Sequence, residues 1–201
     1  MFYHEGISHQ KMADAFYYLE ERVFMTSTVK KITFAGMFLA LALLLPFLTG
    51  QIPQIGNALS PMHIPVLLCG FVCGGPLGLA VGFIAPLLRY MLFGMPPILP
   101  TGTAMAFELA AYGLTSGLLY RTLPRKIPYI YVSLIISMLV GRVVWGIAMF
   151  VISLLATNIQ FGFPAFLAGA FINAIPGIIL HIVLIPVIVI ALNKAKLMYN
   201  E

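Results

Sequence analysis

The sequence predicts an all-α integral membrane protein, a six-transmembrane-helix bundle with N and C termini cytoplasmic. Of the 201 residues, 61% are hydrophobic and only 8% are charged, and the mean hydropathy of +1.03 lies outside the range of soluble globular domains. Apolar runs recur along the chain at about twenty residues each, the length that crosses a hydrocarbon core of about 30 Å. Lys and Arg collect at alternate ends of those runs. Six such spans with short connections use up the chain, which leaves no room for a soluble catalytic or nucleotide-binding domain.

Residues 1–29 form a polar and aromatic stretch that includes Glu5, Asp14, Glu20 and Glu21. It lacks the short apolar core and small-residue cleavage site of a signal peptide. It reads as a cytoplasmic tail or interfacial helix; a true start at Met25 would place residues 1–24 outside the mature protein. The membrane domain covers 30–195, and 196–201 form a short cytoplasmic tail.

Span one, 32–49, is entered through Lys30 and Lys31 and ends at "TGQIPQIGNALSP". Spans two and three, 62–74 and 76–94, are separated only by "GGP" at Gly74–Pro76. Span two is short for the bilayer, so it is expected to be tilted, irregular or sheltered by its neighbours. Span four, 101–120, follows the "GMPPILPTG" loop and closes at "YRTLPRK"; spans five and six run over 128–155 and 164–192. Pro65, Pro86, Pro176 and Pro186 fall inside spans and fit kinked helices around a cavity.

Basic residues concentrate on the cytoplasmic side of membrane proteins. Lys30, Lys31, Arg121, Arg125, Lys126, Lys194 and Lys196 occupy one set of span ends, while the opposite loops, 50–61, 94–100 and 157–163, hold no Lys or Arg. That asymmetry predicts both termini inside. It also accounts for the net charge of +5 without a nucleic acid partner.

Inside the spans, charge is rare. Between Arg22 and Asn200 the only acidic residue is Glu108, and Arg89 and Arg142 are the basic residues within spans. An ion there costs several kcal/mol unless it is paired or wetted, which makes these three candidates for a functional site. At 1.5 Å per residue, Arg89 lies roughly 7 Å below the outer surface, Glu108 and Asn173 roughly 10–12 Å, and Arg142 with Trp145 roughly 10–15 Å. The predicted result is one polar layer in the outer half. Two guanidinium groups and one carboxylate leave a positive surplus, which a small carboxylate ligand would satisfy through a bidentate contact. The other reading is purely architectural: Arg89 reaches the headgroups and Arg142 pairs with Glu108 to lock helices.

His63, in "SPMHIPVLL", stands at the outer start of span two, as a helix-end hydrogen-bonding residue or a ligand contact. His181 falls roughly 24 Å from the outer surface by helix rise, which separates it from the layer and suggests interhelical hydrogen bonding. Gly36 and Ala40 in span one have small-xxx-small spacing and suit close helix contact, within the bundle or with a partner.

Several chemistries are excluded. There is no Walker-type phosphate loop, so ATP hydrolysis by that route requires other chains. No HExxH motif, serine and aspartate pair or cysteine dyad stands at catalytic spacing. Cys69 and Cys73 are four apart, which is neither a CxxC redox motif nor a zinc site, and they read as buried packing.

The blocks "LSPMHIPVLLCGFVCGGPLGLAVGFIAPLLRYMLFGMPP", "AMAFELAAYGLTSGLLYR" and "AGAFINAIPGIILHIVLIP" resemble the substrate-specific S component of an energy-coupling factor (ECF) vitamin transporter, over about 30–195. The resemblance implies a non-enzymatic, multi-pass subunit of the bacterial plasma membrane. Such a subunit binds a vitamin near the outer surface, under the loops after spans one and three. A transmembrane coupling subunit and two cytoplasmic ATPases supply the energy, so this chain needs no cofactor and ATP is used by its partners. The family docks its coupling subunit on an alanine-xxx-alanine pattern of the first helix, where Gly36 and Ala40 stand here.

The sequence therefore leads to a binding and translocating subunit for a small carboxylate, best matched by pantothenate or niacin. Arg89 and Arg142 would hold the anionic group, Glu108 would orient one guanidinium or a hydroxyl, Trp145 would stack, and Asn173 and His63 would hydrogen-bond. The alternative is a stand-alone proton-coupled secondary transporter using Glu108 and His181.

Overall fold

The computed structural model describes residues 28–49, 59–156 and 161–200. Among them the chain is helical with no strand. It forms α1 (Thr28–Leu48), α2 (His63–Cys73), α3 (Gly75–Phe93), α4 (Thr103–Thr122), α5 (Ile127–Leu155) and α6 (Phe163–Lys194). These six helices coincide with the six expected spans. The expected N-terminal tail up to residue 27, and the loop segments 50–58 and 157–160, lie outside the described residues.

Proline and glycine set the boundaries. Proline stands in the first two positions of α3 and α5, where its missing N–H is one that the helix start leaves unpaired anyway. Gly74 has φ 100 and Gly94 has φ 70, backbone conformations open to glycine and strained for other residues. Gly74 thus turns α2 sharply into α3, and Gly94 ends α3 before the proline-rich loop. In α6 a wider turn spans Ala168–Ile172, and the regular helix resumes at Ile175–Lys194.

Four of the helices, α1, α3, α5 and α6, are long and apolar enough to cross a membrane. The 11 residues of α2 reach about 16 Å at 1.5 Å per residue, half of a hydrocarbon core. Every residue of α2 is buried, so its neighbours shelter both of its ends. The 20 residues of α4 are sufficient in length, but Glu108, Tyr112, Thr115 and Ser116 make it too polar to face lipid. It packs instead against α2, α3 and α5.

Glycine brings α3 and α4 together. A Cβ at Gly78 would stand 2.5 Å from the Gly113 carbonyl oxygen, and one at Gly113 would collide with the Gly78 backbone. Small residues are what allow two membrane helices to approach this closely. Gly82 against Leu109 and Gly75 beside Gly117 extend the same seam.

On α1, Ala35, Phe38 and Ala42 are buried, and Gly36 and Ala40 are exposed on another face. Past α6 the chain turns at Lys196, φ 57, and lies against the C-terminal parts of α2 and α4. The Tyr199 N–H donates to the Val72 carbonyl at 2.8 Å. The Asn200 amide donates to the Gly117 carbonyl at 2.8 Å and the Gly70 carbonyl at 3.4 Å. The Tyr199 ring stands 5.2 Å from Phe34 of α1.

Candidate functional site

α4 carries the polar centre. Glu108 is 2% exposed, and its Oε1 lies 2.9 Å from Nη1 of Arg142 on α5. Tyr112, one turn along α4, donates its hydroxyl to the same oxygen at 3.1 Å. His63, at the start of α2, places Nε2 3.6 Å from it. The Tyr112 ring fits because residue 141 is glycine: a Cβ there would strike the ring.

A second histidine joins this group. The His181 ring of α6 stacks on His63 with centroids 6.0 Å apart and an interplanar angle of 21°, and Tyr112 lies 5.3 Å from His63 on another side. This corrects the expectation that depth separates His181 from the layer. Counted from the basic helix ends, Glu108, Arg142 and His181 all stand about 20–22 Å along their helices at 1.5 Å per residue. Counting from the opposite helix ends fails because those ends are not level: α5 and α6 run well beyond the layer, whereas α4 begins close to it.

The cluster holds more hydrogen-bonding capacity than its members use. His63 Nδ1 and Nε2, Arg142 Nε and His181 Nε2 are buried and make no hydrogen bond with the protein. The other side of the His181 ring meets the Ser60 backbone. Buried polar groups normally find partners, so a concentration of free capacity at one place marks a spot suited to a polar guest.

The other expected site residues lie elsewhere. Arg89 donates to the Leu43 carbonyl of α1, and its guanidinium stands 4.9 Å and 5.4 Å from the ring centroids of Phe47 and Phe93. Trp145 meets Phe161 edge-on at 5.6 Å and lies nearly parallel to Phe166 at 6.4 Å, an aromatic group one turn further along α5 than Arg142. Asn173 is exposed, at the turn that follows Ala168–Ile172. Tyr112, Phe161 and Phe166 were missed by sequence reasoning; for Tyr112 the signal was its i+4 spacing from Glu108, which puts both on one helix face. Cys69 and Cys73 are buried and unpaired in the core.

A family model described as ECF transporter, substrate-specific component, matches residues 30–189. The chain belongs to this family, the S components of ECF transporters. Comparison with curated proteins and with solved structures gives no match. As an S component it is a substrate-binding subunit of a membrane transporter rather than an enzyme, and its family associates with an ECF module of transmembrane and ATPase subunits. The apolar helices agree with a multi-pass membrane protein. The S component leaves Gly36 open on the outside of α1, with nothing within 4 Å of a Cβ built there.

Proposed function

We propose that this S component captures a small vitamin carrying a carboxylate, pantothenate or niacin, at the outer face of the bacterial plasma membrane. ATP hydrolysis by two partner ATPases then drives its release inward. Both termini lie in the cytoplasm, and the transmembrane coupling subunit docks on the α1 face that carries Gly36 and Ala40. The observation that supports the ligand class is the free donor capacity of Arg142 Nε and the imidazoles beside Glu108. A carboxylate is the simplest group to use a guanidinium edge and a ring N–H together.

Trp145, with Phe161 and Phe166, would cover the apolar part of the ligand, and Asn173 would hydrogen-bond to its polar end.

Mass spectrometry of the small molecule that co-purifies with the protein tests the reading, followed by titration of nicotinate and pantothenate against wild type and Arg142→Ala. Tight binding of one of them, lost in Arg142→Ala, is the expected result. A co-purifying ligand without a carboxylate would overturn it.

One observation favours a second reading, a stand-alone proton-coupled transporter: Glu108, His63 and His181 adjoin one another across α4, α2 and α6. Uptake in a host without any ECF coupling subunit, abolished by collapsing the proton gradient, would select it.

A further inference from the structure

We propose that Arg89 is a positioning residue that clamps the outer end of α1 to the outer end of α3, and does not itself touch the ligand. Arg89 is 4% exposed, although it lies only one turn before the end of α3. A snorkelling arginine at that height turns its head toward water. This one turns inward, toward a carbonyl of α1 and two aromatic rings.

Its N–H donates to the Leu43 carbonyl, near the point where α1 tightens into the 3₁₀ turn Leu45–Thr49. In i→i+3 bonding the carbonyl of residue 43 would turn to residue 46, which is Pro46 and has no N–H. Arg89 supplies a donor from the neighbouring helix. The guanidinium carbon stands over the rings of Phe47 from α1 and Phe93 from α3, both within cation–π range. Those two rings meet each other edge-on at 4.9 Å.

Electrostatics work in the same direction. α1 and α3 run the same way through the bundle, so their negative C-terminal ends converge, and a cation placed between them relieves the repulsion. A delocalised cation that donates to a carbonyl while resting over aromatic rings is what arginine provides better than lysine. The clamp matters because α1 is a lightly packed helix, only 17% buried over its apolar window. On the reading proposed above, its outer end borders the ligand-binding side, so the clamp keeps that side in its binding geometry.

Spin labels at Leu48→Cys and Met91→Cys, both strongly exposed, report the separation of the two helix ends by pulsed electron paramagnetic resonance, while Cys69 and Cys73 stay buried and unlabelled. The expected distance distribution is narrow in the parent pair and roughly twofold broader after Arg89→Ala or after Phe47→Leu with Phe93→Leu, with Arg89→Lys between them. The phenylalanine variant leaves the arginine in place and serves if Arg89→Ala fails to fold. An unchanged distribution in these variants, with nicotinate and pantothenate binding lost only in Arg89→Ala, would overturn the clamp and make Arg89 a ligand contact. If the parent protein binds neither vitamin, the proposed ligand class fails by itself, and the label distances still decide the clamp.

Discussion

Glu108 and Arg142 stand 2.9 Å apart with side chains 2% and 10% exposed, one on the central helix of the bundle and one on α5. Breaking a buried pair strands the surviving charge, which costs about 3–5 kcal/mol, whereas replacing both partners is far milder. Glu108→Gln and Arg142→Met should each lower the melting temperature in detergent sharply, and the double variant should recover most of the loss. Additive losses in the double variant would show that the two side chains are not coupled.

Two glycines should respond in opposite ways. Gly113→Ala drives a methyl group into the Gly78 backbone, so it should destabilise the bundle by at least about 1–3 kcal/mol through overpacking. Gly36→Leu meets open space and should leave melting temperature and ligand binding unchanged. On the proposed docking face it should nevertheless abolish uptake in cells that contain the ECF module. Normal uptake in Gly36→Leu would move the docking site elsewhere.

Among the described residues Asn200 is the last tie to the core, 5% exposed and bonded to the Gly117 and Gly70 carbonyls. Asn200→Ala removes both bonds, although the Gly70 carbonyl keeps the Gly74 N–H, at a cost of about 0.5–1.5 kcal/mol for each. A lower melting temperature with unchanged ligand affinity is expected, since the contact lies at the opposite end of α4 from Glu108. A melting temperature equal to wild type would mean that the C-terminal residues contribute nothing to the fold.

Much of the candidate site was legible in the sequence because unusual residue types are conspicuous in an apolar chain. Glu108 and Arg142 stood out as ions inside spans and proved to be partners. Arg89 stood out for the same reason, but a rise per residue does not say toward which neighbour a side chain turns, and Phe47 and Phe93 look like any other aromatic residues in a membrane span. His181 was placed too deep because helix ends had been treated as level. Tyr112 was passed over because tyrosine is common in such helices; only the glycine at 141 and the carboxylate one turn back give its ring and hydroxyl their places.

By itself the sequence determined the number and order of the helices, their boundaries and the few residues able to carry charge. Those properties are local: transfer free energy accumulates along a segment, and a proline or a glycine at positive φ interrupts the backbone wherever it occurs. The tertiary structure decided which of those residues meet. The relative height and rotation of two helices follow from contacts between them. The Gly78 and Gly113 seam, the complete burial of α2 and the wide turn at Ala168–Ile172 are such contacts and offsets. They carry His63, Glu108, Arg142 and His181 from four separate helices to one level, while Arg89 closes on a carbonyl of α1.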